Sequence, residues 1–252
     1  MKRIVLHIAI WGYCLLSLSL FGQAHRQKVF EAYKSGDFEQ WVEGIQEMEQ
    51  YARDINQVPV WLDLADSKYG LIGFCIAEEK KDGLDEWIKG TESILKAVLE
   101  REPQNARAKS LYGGLLAFKI ALSPAKAIYL GPRSQNYLDE AKKYGQKEPS
   151  VWVENGNMHY HAPAVFGGDM DKAISCFEKA VVLYDNSSKA YSWQYLHAIA
   201  WLGQAYESQD QHDKAMNVYK GVLQKHPDFE WVKDELLPAC QRKVNTASQE
   251  NR

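Results

Sequence analysis

The 252-residue sequence is poor in cysteine, with four, and in proline, with eight. Cys14 falls in an apolar leader, which leaves Cys75, Cys176 and Cys240, an odd number that cannot all pair within one chain. Each sits among apolar neighbours in a helical pattern, and no two stand at metal-ligand spacing. They read as small buried hydrophobes, with neither a disulfide framework nor a metal site. Basic blocks are also missing: 30 Lys and Arg face 33 Asp and Glu, and no stripe of cations alternates with aromatics, so a nucleic-acid groove is excluded. Catalytic signatures are absent too. There is no phosphate loop, no G-x-S-x-G elbow, no H-E-x-x-H and no Cys-His-Asn set. The acid pairs Glu78-Glu79 and Asp139-Glu140 diverge on helices and read as solvated charge, so an enzyme is not expected.

One long hydrophobic run is present, Ile4 to Phe21, preceded by Lys2 and Arg3 and followed by Gly22-Gln23-Ala24. Residues 1–24 have the form of a secretory signal cleaved before His25, with an uncleaved membrane anchor as the alternative. Without Lys2 and Arg3 the exported chain carries a mild net charge of −5. A periplasmic or cell-envelope location is therefore expected.

Beyond the leader, the sequence repeats itself. Ala65-Asp-Ser67-Lys-Tyr69-Gly70 returns 43 residues later as Ala108-Lys-Ser110-Leu-Tyr112-Gly113, and the same step reaches Gly156 in Trp152-Val-Glu-Asn155-Gly156. Gly203 follows after another 47 residues. A glycine inside a helix costs about 1 kcal/mol, so four at matching positions call for a packing reason, the close approach of a paired helix. Apolar stripes such as Ala173, Ile174, Phe177, Ala180 and Val181 give each second helix one buried face.

The best-formed unit is Ala198 to Phe229. Leu202, Gly203, Tyr206, Ala215, Tyr219, Val222 and Pro227 fit the tetratricopeptide repeat (TPR) pattern of about 34 residues. Ile199 stands where that pattern has a large Trp. The chain thus resembles the TPR family, which implies an all-α fold, an α-solenoid of stacked helical hairpins. The hairpins are expected at about 25–57, 60–103, 105–149, 150–186 and 190–227, with a capping helix at 229–244 and a frayed polar tail at 245–252. Insertions lengthen the first three full units and fall mainly in the turns inside each hairpin, where they project from one edge. The longest, Ser123 to Arg133, is expected to be a loop between Pro124 and Pro132 that folds back as a lid, with Tyr129 and Arg133 as edge contacts.

The most individual stretch is His159-Tyr-His161-Ala-Pro163-Ala-Val-Phe166-Gly-Gly168-Asp169. Asp169 suits a helix N-cap. The Pro, Phe, Gly-Gly-Asp turn resembles one in bacterial exported repeat proteins, among them TatT-type transporter accessory components, and implies a periplasmic accessory or binding role. His159 and His161 are two apart, so on a helix they diverge and do not chelate a metal. His159 occupies the buried Tyr position of the pattern and reads as a satisfied core histidine.

In the packing that the TPR resemblance implies, first helices line a concave groove, which puts Asn157, Tyr160 and His161 there with His197 and Gln204 from the next unit. Polar groups among aromatics suit a peptide or a small polar ligand, and a solvated helix face accounts for the same residues. The expected function is an exported scaffold holding a protein or peptide partner on its concave face or inserted edge, with no cofactor. The alternative is a transporter accessory protein enclosing a small solute in a closed cavity lined by Asn157, Tyr160 and His197.

Overall fold

The computed structural model describes residues 24–187 and 192–250. The leader read over residues 1–24 lies outside them, apart from residue 24. Among the described residues there is no strand, and no helix is long and apolar enough to cross a membrane. The fold is an all-α solenoid of stacked hairpins. In order come α1 (24–35), α2 (Phe38–Ile55), α3 (Val58–Ala77), α4 (Leu84–Arg101), α5 (Ala106–Leu122) and α6 (Ala127–Tyr144). They are followed by α7 (Pro149–His161), α8 (Met170–Asp185), α9 (Trp193–Glu207), α10 (His212–Lys225), a π-helical turn (Trp231–Leu236) and α11 (Leu237–Glu250).

Local chemistry sets many of these boundaries. Asp37, Asn105, Asp169 and Ser192 cap α2, α5, α8 and α9 by accepting from the free amides of Gln40, Ala108, Lys172 and Tyr195. Prolines in the first turn open α3 and α7. In α2 the buried Trp41, Ile45, Met48 and Ala52 recur at three and four residues, and burying each large apolar side chain is worth about 1.5–3 kcal/mol.

Consecutive helices pair as α3 with α4, α5 with α6, α7 with α8 and α9 with α10, while α3, α5, α7 and α9 also touch in sequence to form the inner layer. Three marker glycines do what the repeat requires. A Cβ on Gly113 would meet Leu138 of α6 at 2.9 Å, one on Gly156 would meet Phe177 of α8 at 2.6 Å, and one on Gly203 would run into the Tyr219 ring of α10. Gly70 holds the matching place on α3, but its nearest neighbours are not those expected. Its Cβ would meet Trp41 and Trp193, each at 2.8 Å, so it admits indole rings from α2 and α9 and not the second helix of its own hairpin.

One further expectation is corrected. Ser123 to Arg133 is not a loop: a 3-10 turn at Pro124–Lys126 runs straight into α6. Pro132 is carried within that helix on an exposed face. The helix α11 is drawn on to Glu250.

The superhelix winds tightly enough to close on itself. Lys34 of α1 pairs with Asp228 at 2.6 Å, Phe30 packs edge-on against His226, and Tyr33 packs against both Phe229 and Trp193. Across the inside, the Tyr69 hydroxyl of α3 donates to Glu154 of α7 at 2.5 Å.

Candidate functional site

The inner face divides into a sealed throat and an aromatic mouth. In the throat, Arg107 of α5 forms ion pairs with Asp66 and, at 2.9 Å, with Asp63. Tyr69 stacks on Phe118 while bonding Glu154. Burial holds the Glu154 carboxyl up at about 7, with the Tyr69 hydroxyl opposing the shift and the nearby Asp66 charge adding to it. A void of about 10 Å³ lies between Asp66, Tyr69, Glu154, Tyr184, Trp193 and His197. That is room for one water and not for a ligand. A buried carboxyl with a displaced pKa is thus present beside a void with room for one water.

The mouth is built by α7, α9 and the π-helical turn. On α9, Trp193, His197, Trp201 and Gln204 fall at steps of four, four and three and so share a face. That face continues as a ladder of rings. Tyr33 lies 6.4 Å from His197, His197 5.9 Å from Trp201, and Trp201 6.3 Å from Trp231. The last turn of α7 adds Tyr160 and His161, whose rings stand edge-on to Trp201 at 4.9 and 4.7 Å. His161 is exposed, and Tyr160, Trp201 and Trp231 are half-buried.

Polar atoms in this aromatic wall lack partners. Asn157 Oδ1, Trp193 Nε1, Trp201 Nε1 and Gln204 Nε2 are all buried without a hydrogen bond. Each such atom costs about 1–3 kcal/mol if nothing satisfies it, and all four lie beneath the ring surface with no exposed area of their own. His197 is differently placed. Its Nδ1 lies 3.3 Å from the Tyr33 hydroxyl, and burial drives its pKa down to about 3, so it is a neutral wall residue between throat and mouth.

Of the residues picked from the sequence, Asn157, Tyr160, His161, His197 and Gln204 are therefore brought together. Tyr129, 55 % exposed, and Arg133, also exposed, lie on the second helix α6 and take no part in the ring ladder. Sequence reasoning missed Trp193, Trp201 and Trp231, although Trp193-x3-His197-x3-Trp201 is an i, i+4, i+8 stripe visible in the chain. His159 sits partly buried and is satisfied by the turn that follows it, its Nδ1 lying 2.9 Å from the Gly167 carbonyl. That turn needs both its glycines: Gly167 has φ +94°, and a side chain on Gly168 would collide with the Ala162 carbonyl.

The profile of the tetratricopeptide repeat matches residues 198–228. No curated protein matches the chain. Among solved structures, the HusA haemophore from Porphyromonas gingivalis is similar with a TM-score of 0.60 and 18% identity, over 75% of this chain and 94% of that one. A thermophilic TPR protein of Thermus thermophilus is similar with a TM-score of 0.54 and 15% identity, over 90% of this chain and 99% of that one.

Proposed function

We propose that this chain is an exported, non-catalytic scaffold that binds a protein or peptide partner at the aromatic mouth. The observation that carries this reading is the cluster of unpartnered polar atoms, Asn157 Oδ1, Trp201 Nε1 and Gln204 Nε2, set behind the rings of Tyr160, His161 and Trp231. Rings supply rigid contact area, and the buried donors and acceptor behind them offer hydrogen bonds to peptide amides once side chains of the wall turn aside. The throat supports the same reading from the other side, since a solute cannot be enclosed in room for one water. A crosslinking pull-down from the native envelope tests it. Wild type recovers a partner that the Tyr160→Ala, Trp201→Ala double variant loses, by about tenfold or more, with the helical circular dichroism signal retained. Equal recovery by both proteins refutes the mouth as the binding face.

A second reading has its own support. The similar haemophore aligns over 94% of its length, and the mouth presents the exposed His161 imidazole beside Trp201. A planar small ligand lying across those rings would make the chain a solute-binding accessory of an envelope transporter, the role that the Pro163-to-Asp169 turn implies. Haemin is the probe. A saturable Soret shift that His161→Ala abolishes favours this reading, and a titration without saturation removes it.

A further inference from the structure

The turn between α9 and α10 meets the C-terminal helix at three side chains of metal-ligating type. Glu207 is the last residue of α9, His212 the first of α10, and Cys240 lies in the first turn of α11. A carboxylate oxygen, a ring nitrogen and the Cys240 Sγ all lie within 4.8 Å of one another. Cys240 is wholly buried, with its Sγ in a long 3.6 Å contact to the His212 carbonyl. His212 Nδ1 is buried and has no hydrogen-bond partner. An unpaired ring nitrogen beside a buried sulfur and a carboxylate is a costly arrangement for a capping contact, where an apolar trio would serve.

The donor set has a natural occupant. Thiolate, imidazole and carboxylate on one side of a point suit a tetrahedral Zn²⁺ with its fourth position left to water, whereas calcium and magnesium take oxygen ligands only. Zinc bonds of about 2.0–2.3 Å put neighbouring ligand atoms roughly 3.5 Å apart, so closure needs side-chain rotations of about an ångström and no backbone rearrangement. We infer that Glu207, His212 and Cys240 form a Zn²⁺ site that staples α11 to the last hairpin. Binding moves the Cys240 thiol proton to solvent and uses His212 in its neutral form. It must also displace a resident cation. Lys243 Nζ holds one Glu207 oxygen at 2.8 Å while the Tyr219 hydroxyl donates to the other at 2.9 Å. The Lys243 side chain is 57% exposed, so it can swing into water when the metal arrives.

Titration of the reduced protein with Co²⁺ tests this, because thiolate ligation gives a charge-transfer band that oxygen and nitrogen ligands do not. One equivalent should bind with that band and be displaced by Zn²⁺. Cys240→Ser should abolish the band, although Cys75 and Cys176 remain. His212→Ala should weaken binding about tenfold or more. Lys243→Gln should tighten it several-fold by removing the competing charge, an effect that a merely structural Glu207–Lys243 pair does not produce. Zn²⁺ should also raise the melting temperature of wild type and not that of His212→Ala. No thiolate band at saturating Co²⁺, or a band that persists in Cys240→Ser, overturns the site. Should Cys240→Ser fail to fold, unchanged affinity in both His212→Ala and Lys243→Gln overturns it equally.

Discussion

Throat and mouth are made from the same inner helices, yet their polar groups are paired to different extents. In the throat each charged or hydroxyl group of the central network meets another: Arg107 meets Asp66 and Asp63, and Tyr69 meets Glu154. One helical repeat further on, Asn157, Trp201 and Gln204 bury polar atoms that meet nothing. The throat network joins residues as far as 85 positions apart and ties α3 to α7, which is the work of holding a superhelix closed. The unpartnered atoms of Asn157, Trp201 and Gln204 tie no helices together. Buried polar groups left unsatisfied are the feature on which the proposed binding role rests. On the proposed reading, binding falls to the C-terminal half of the inner face, while closure draws on both ends of the chain, as Lys34 and Asp228 show.

The largest expected effect comes from the packing that both halves share. Gly203→Leu drives a side chain into the Tyr219 ring, and Gly156→Leu does the same to Phe177. Both should lose cooperative thermal melting, at or beyond the ~1–3 kcal/mol usual for overpacking. Melting like wild type would undo the helix pairing described here. Next in size is a change confined to the throat. The Glu154 carboxyl is raised from 4.5 to about 7, so the folded state keeps a proton that the unfolded chain gives up. Its contribution is full below pH 4.5 and is lost as pH rises toward 7. His197, lowered from 6.5 to about 3, works in the opposite sense, its contribution full above 6.5 and lost as pH falls. Glu154→Gln removes the first slope and leaves the second. The stability difference from wild type, followed by urea midpoints, should therefore change by about 3 kcal/mol between pH 4.5 and pH 7. Parallel pH profiles would show that Glu154 is not a buried titrating acid.

Much of this architecture was legible in the chain, and the failures have physical causes. Hairpins and the Asp169 cap were readable because they depend on neighbours within a few turns. So were three of the four glycines, since Gly113, Gly156 and Gly203 each answer to a partner helix nearby in sequence. Gly70 misled because its reason is Trp193, 123 positions away, and a motif cannot announce a contact made only when the superhelix closes. The docking of Lys34 on Asp228 across 194 positions was hidden in the same way. Pro132 was read as a breaker, but the donor it removes belongs to an exposed turn of α6, where the loss is cheap. On the mouth, the eye for polar residues found Asn157, His161, His197 and Gln204 and passed over the indoles between them. The His212 and Cys240 pair was missed because their approach is set by how α11 folds back.

The smallest expected effect bears on the edge, the rival to the mouth. Tyr129 and Ile128, 55% and 87% exposed, and Arg133 stand on the first turns of α6, where the chain was expected to form a contact loop. Exposed apolar side chains on a helix are common and need no partner to explain them. Unlike the mouth, this edge stands on the outer face of a second helix and joins no ladder of rings. A Tyr129→Ser, Arg133→Ser double variant should accordingly change stability by under about 0.5 kcal/mol in urea. It should also recover the same partner as wild type in the crosslinking pull-down. Loss of the partner with this variant, and not with Tyr160→Ala, Trp201→Ala, would move the binding surface from the concave mouth to the inserted edge and reverse the comparison between them.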